Sequence, residues 1–126
     1  DSIDDYLAKA NQNLLTVIQI ETKESIENIE EIASVEGVDV LFIGPSDLSC
    51  NLGISCDLQH PEMQACMKKV NQSAQRYHKQ TGILIKDASQ IPALISAGFR
   101  LIALETDLSI LKKGMKAVAK SFKEYR

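Results

Sequence analysis

At 126 residues the chain has the length of one domain with a moderate core. Its 44% hydrophobic and 25% charged residues are those of an ordinary globular protein, which excludes the disordered and fibrous classes. Fourteen basic against seventeen acidic residues leave a net charge of −3, and no long single-sign block advertises a nucleic-acid or anionic-membrane surface. The basic residues near the end (Lys112, Lys113, Lys116, Lys120, Lys123, Arg126) follow a helical spacing and read as a solvated face. Cys50, Cys56 and Cys66 form no CxxC pair and leave an odd thiol, which points to a reducing cytoplasm. No apolar run reaches the roughly 18 residues of a membrane span, and no signal peptide opens the chain. Residues 1–7 already carry a helical pattern with no initiator methionine, as expected of a piece cut from something longer.

Strand and helix signals then alternate without a linker. Residues 14–21 form an apolar-rich, β-branched run too short for a typical helix and are expected as a buried strand. A helix is expected over 23–35, with Ile26, Ile29, Ile32 and Ala33 on one face, Glu24 and Glu27 early, and Gly37 as its stop. Residues 38–43 are a second strand, ending in Gly44-Pro45. A short helix and a loop lead to Pro61, which opens a helix carrying Met63, Cys66, Met67, Val70, Ala74 and Tyr77. The third strand is expected over 82–85. Asp87 or Ser89 then caps a helix carrying Ile91, Leu94 and Ile95, with Pro92 in its first turn and Gly98 at its end. Residues 99–104 are the fourth strand, and the last helix shows Leu108, Leu111, Met115, Val118, Phe122 and Tyr125.

Strict alternation with near-continuous apolar strands means a parallel sheet covered by helices. A small open doubly-wound sheet and half of an eight-stranded barrel both fit. A full (β/α)₈ unit takes about 250 residues, so four strands in this length match half a barrel. An open-sheet nucleotide binder would also show a glycine-rich turn after its first strand, and none is present.

In the first strand, a period of two puts Leu15, Val17, Gln19 and Glu21 on one face and Leu14, Thr16, Ile18 and Ile20 on the other. A glutamate is rarely buried unless paired or metal-bound, and the C-terminal end of a barrel strand is where catalytic groups belong. The plain alternative is a strand-end carboxylate that meets solvent. After the second strand, Gly44 permits a close backbone approach and Pro45 fixes the turn. The amides of Ser46 and Asp47 can then face a carboxylate. Asp47 would end the strand next to Glu21, and two such carboxylates with water and substrate oxygens suit Mg²⁺ or Mn²⁺. Here the alternative is that Ser46 or Asp47 simply caps the following helix.

Together these stretches carry a family likeness. Residues 17–22 (VIQIET), 27–32 (ENIEEI), 35–39 (VEGVD) and 42–49 (FIGPSDLS) closely resemble the HpcH/HpaI family of metal-dependent class II aldolases. That family makes or cleaves pyruvate-derived 2-oxo acids and is related to citrate lyase beta subunits. The likeness continues through Leu52-Gly53, His60-Pro61-Glu62, residues 82–84 (GIL) and residues 98–104 (GFRLIAL). It takes in essentially the whole chain but only the C-terminal half of the family's barrel, so residues 1–126 read as one incomplete domain. The resemblance implies that Glu21 and Asp47 are the metal carboxylates, with Gln19 beside the pyruvyl group. It also implies that the Ser46 and Asp47 amides hold the pyruvate carboxylate while the metal acts as a Lewis acid. The implied partners are a small-molecule 2-oxo acid and further copies of the chain.

The family's catalytic histidine and substrate-binding arginine lie on loops of the first half, so no catalytic base is expected here, and His60 and His78 read as structural. Two departures stand out. Glu105 occupies a place where the family usually has glycine, and Lys86 one where a small or apolar residue is commoner. Two rival readings follow. Lys86 could be a Schiff-base nucleophile in a metal-free aldolase, or the chain could be a non-catalytic half-barrel assembly module.

Overall fold

Aliphatic and β-branched runs become strands here, and helices bury one face of the two central strands. The computed structural model describes every residue except 1, 2, 4, 5, 7, 8, 124 and 126 and the side chain of residue 123. Its strands are β1 (Val17–Ile20), β2 (Val40–Ile43), β3 (Gln80–Ile85) and β4 (Leu101–Leu104). All pair in parallel, in the sheet order β1-β2-β3-β4. A doubly-wound sheet reverses its strand order at a switch point. This sheet never reverses, which is the arrangement of half a (β/α)₈ barrel.

Between β1 and β2 lie α1 (Lys23–Glu27) and α2 (Ile29–Ser34), and between β2 and β3 lie α3 (Pro45–Leu52) and α4 (Pro61–Arg76). Helix α5 (Ile91–Ser96) precedes β4, and α6 (Asp107–Lys123) follows it. Ile20, Leu41, Ile43 and Ile83 point to one face and are fully buried against Ile29, Met63, Val70 and Phe99. The other face, the lumen side of a barrel, is largely open. Within the strand Val17 and Gln19 are exposed while Ile20 is fully buried, the facing expected from the period of two, but Leu14 and Thr16, expected on the buried face, are exposed ahead of it.

The structure corrects several boundaries. The first strand starts at Val17 rather than residue 14, because only Val17 onward pairs with β2. The helix expected over 23–35 breaks at Asn28, which ends α1 and begins α2. Its buried face of Ile26, Ile29 and Ala33 survives the break. β3 begins at Gln80, two residues early, since Gln80 and Thr81 pair with Val40 and Leu41. β4 begins at Leu101, because Gly98 (φ +103) and the Phe99 amide, bonded to the Leu94 carbonyl at 3.0 Å, finish the end of α5. Asp87 caps the short 3₁₀ turn Ala88–Gln90 through the Ser89 amide (2.9 Å) rather than α5 itself. The helix expected over residues 1–7 lies largely outside the described residues.

Gly82 is a socket on the lumen face. A Cβ placed there would lie 2.5 Å from Phe42 Cδ2 and 3.0 Å from the Leu101 carbonyl oxygen. β3 therefore leaves its side-chain place empty for the aromatic ring of β2. On α6, Leu108, Leu111, Met115, Val118 and Phe122 form the stripe read from the sequence, each between 60% and 71% exposed. No described helix is long and apolar enough to cross a membrane.

Candidate metal and oxo-acid site

Glu21 follows directly on β1 and Gly44 directly on β2, and the ladder between them extends through the Gly44 amide to the Ile20 carbonyl (3.2 Å). Thr22 stops β1 and starts α1 by a reciprocal cap. Its hydroxyl accepts from the Ser25 amide (3.0 Å), and the Ser25 hydroxyl accepts from the Thr22 amide (3.1 Å). Asn51 adds a tie that sequence reasoning missed. Its side-chain oxygen accepts the Lys23 amide at 2.7 Å, joining α1 to α3 just beyond Glu21.

Gly44 turns out to seat Glu21. A Cβ on Gly44 would meet Glu21 Oε2 at 3.1 Å and Glu21 Cβ at 3.3 Å. The close approach anticipated at this glycine is thus made by the neighbouring carboxylate, which lies across the end of β2. Gly44→Ala should shift Glu21 by a few tenths of an ångström while the fold persists. The expected result is roughly a tenfold loss of Mn²⁺ affinity, the lower end of what supporting groups around metals contribute. An unchanged titration with unchanged circular dichroism would remove Gly44 from this role.

Pro45 is the first residue of α3 and is buried. The first intrahelical bond runs from the Leu48 amide to the Gly44 carbonyl (2.9 Å). The amides of Ser46 and Asp47 therefore belong to the turn whose N–H groups have no intrahelical acceptor. Both residues are exposed, and neither side chain caps α3. The plain capping alternative for Ser46 and Asp47 thus has no support in the hydrogen bonds. Ser46 Oγ lies 3.8 Å from Cys56 Sγ. Gln19 pairs in register with Phe42, one inward-facing step below Glu21, and is exposed toward the lumen.

The histidines lie elsewhere. His60 caps α4, its Nδ1 accepting the Glu62 amide at 3.3 Å. His78 (φ +57) closes the far end of α4, where the Lys79 amide bonds back to the Ala74 carbonyl at 2.8 Å. At the top of β4, Glu105 also has a positive φ, +65. That backbone suits glycine and costs a side-chain-bearing residue about 1 kcal/mol or more. The Glu105 carboxylate accepts from Lys113 and from the Ser109 hydroxyl of α6. The hydrogen bond from Lys113, then that from Ser109, with the nearby Lys86 charge adding to them, hold its carboxyl below the ordinary glutamate range.

No third His, Cys, Asp or Glu groups with these carboxylates into a metal cluster among the described residues. A closed zinc centre with four protein ligands is therefore not what these side chains provide. Two carboxylates at adjacent strand ends, open to water and substrate oxygens, fit a hard cation that keeps part of its own water shell.

Known proteins match the chain over most of its length. Residues 2–113 match the model of the HpcH/HpaI aldolase/citrate lyase family. A 4-hydroxy-2-oxo-heptane-1,7-dioate aldolase of Escherichia coli is 38% identical over 120 residues, 95% of this chain and 46% of the relative. A 5-keto-4-deoxy-D-glucarate aldolase of Klebsiella pneumoniae is 33% identical over 123 residues, 98% of this chain and 48% of the relative. The crystal structure of an HpcH/HpaI aldolase from Desulfitobacterium hafniense superposes with a TM-score of 0.85 at 28% identity, covering 98% of this chain and 48% of that one. The chain spans about half the length of the curated relatives it matches.

Proposed function

This chain belongs to the HpcH/HpaI aldolase/citrate lyase family, and from that premise we propose that it is the metal-binding half of a barrel that reversibly cleaves a 4-hydroxy-2-oxo acid. The products are pyruvate and an aldehyde. The observation that carries the reading is the Glu21 carboxylate lying across Gly44 at the end of the adjacent strand, just before Asp47. In the reaction the C3–C4 bond breaks, the C4 hydroxyl loses its proton to become the aldehyde, and C3 gains a proton.

Glu21 and Asp47 would hold the cation, Mg²⁺ or Mn²⁺, which when bound supplies Lewis acidity at the keto oxygen. The amides of Ser46 and Asp47 hold the substrate carboxylate, as the open first turn of a helix does for anions. Gln19 donates to the pyruvyl unit from the lumen face. The acceptor of the hydroxyl proton comes from outside this chain, since His60 is occupied as a cap and His78 stands at the far end of α4. The open lumen face and the uncovered stripe of α6 support assembly with further copies, and the odd, free cysteines support a reducing cytoplasm. Lys86 is exposed and lacks the apolar enclosure that activates Schiff-base lysines, so the metal reading is preferred.

The test is release of pyruvate from a 4-hydroxy-2-oxo dicarboxylic acid by the full-length protein, with and without chelator. Full activity in excess EDTA would sink the proposal. Gln19→Ala should lower kcat about tenfold, the value of one hydrogen bond made to the reacting unit. Mn²⁺ affinity should stay at the wild-type level. Unchanged kinetics would return Gln19 to packing.

A further inference from the structure

Glu21 and Asp47 sit on separate stretches of chain, so their relative placement depends on what ties those stretches together. On either side of Glu21 one hydrogen bond does so. Before it, the Gly44 amide donates to the Ile20 carbonyl at 3.2 Å. After it, the Lys23 amide donates to Asn51 Oδ1 at 2.7 Å. Glu21 is therefore bracketed by two bonds to one segment, residues 44–51, and Asp47 lies inside that segment.

The first bond belongs to the strand pairing, whereas the second is made by a side chain. Asn51 follows Asp47 by four residues in α3, so the two project from one face of that helix, about one turn apart. Asn51 reaches the first residue of α1, which shows that this face of α3 is turned toward the chain leaving Glu21. The same geometry sets Asp47 on the Glu21 side of α3.

Helix α1 does not need Asn51 in order to form. The Lys23 N–H, in the first turn, has no acceptor within the helix. Both residues of the bond are exposed, so water could serve that amide instead. The reciprocal Thr22–Ser25 cap already starts α1 from within its own turn. What Asn51 supplies and water cannot is a fixed placement of α1 against α3. No other hydrogen bond joins these two helices among the described residues.

We propose that Asn51 is a positioning residue for the divalent cation, holding the Lys23 amide against α3 and so fixing Glu21 relative to Asp47. It acts through the backbone of residues 21–23 and is not itself a ligand. This rests on the metal reading above.

The experiment is Mn²⁺ titration of the full-length protein, followed by the electron paramagnetic resonance of the free ion. Asn51→Leu keeps the shape and removes the acceptor. Lys23→Pro removes the donor at a first-turn position that proline prefers, behind an extended Thr22 (φ −130, ψ 157) that accommodates it. Each should weaken Mn²⁺ binding about tenfold, as loss of groups that support a metal's ligands does. The double variant should be no weaker than either single one, because both changes remove the same bond. Asn51→Asp keeps an acceptor and should stay within about threefold of wild type. Combined with Lys23→Pro it should not restore affinity, which separates the bond from the added charge. Urea midpoints should stay near the wild-type value throughout.

Wild-type affinity in both single variants, additive losses in the double variant, or losses that track a falling urea midpoint would overturn the role of Asn51. Wild-type affinity in Glu21→Gln would instead overturn the metal site on which that role rests.

Discussion

Glu21→Gln and Asp47→Asn, each made alone, are expected to lower Mn²⁺ affinity by about 100-fold or more and to abolish pyruvate release. Groups that merely support a metal's ligands are worth about 10–100-fold, so removing a ligand charge lies at or beyond that range. The loss is severe because no third protein carboxylate, histidine or thiol groups with the pair among the described residues. A hard cation that keeps much of its own water depends on the few anionic oxygens it has. Both substitutions preserve shape, and both positions reach solvent, Glu21 partly and Asp47 more openly, so the fold should persist. Titration followed by the electron paramagnetic resonance of free Mn²⁺ measures the effect, with circular dichroism as the control. Wild-type affinity in either variant would remove that residue from the metal site.

The largest purely structural effect is expected at Gly82. Alanine there would set its Cβ 2.5 Å from the Phe42 ring, 3.0 Å from the Leu101 carbonyl oxygen and 3.1 Å from Leu101 Cβ. The ring can rotate away only by leaving its socket, and the β4 backbone cannot yield without loosening the β3–β4 ladder. Overpacking of this kind costs about 1–3 kcal/mol, readable as a lower urea midpoint at unchanged slope. Phe42→Leu in the Gly82→Ala background should recover part of that loss, since the two positions touch and their effects should not add. If Gly82→Ala were neutral, or the double variant merely additive, the socket would have no energetic weight.

Much of this was legible because it rests on local rules. The period of two set Glu21 and Gln19 on the same face as Val17, and the exposures of Val17, Gln19 and Ile20 follow it within the strand, while Leu14 and Leu15 ahead of it are both exposed. Pro61 and His60 marked the start of α4, and Gly98 the end of α5. Boundaries that depend on a partner strand were less legible. Residues 14–16 have strand composition, yet their only ladder bond to β2 is the Thr16 carbonyl accepting the Val40 amide at 3.1 Å, and Gln80-Thr81 are polar yet pair with β2. Asn28 interrupts a helix whose apolar spacing continues unbroken across it, so periodicity gave no sign of the break.

The sequence by itself determined the alternation of strands and helices, the apolar face of most of them, and the residue types able to hold a divalent cation. These follow from side-chain period, from turn chemistry and from the rarity of unpaired carboxylates in an apolar core. Only the tertiary structure decided the sheet order β1-β2-β3-β4, which separates half a barrel from an open doubly-wound sheet. It alone showed that the empty side-chain place of Gly44 is filled by Glu21, that of Gly82 by Phe42, and that Glu105 is held by Ser109 and Lys113. Contacts between adjacent strands depend on register, a property of two segments brought together, and no single stretch of chain encodes it.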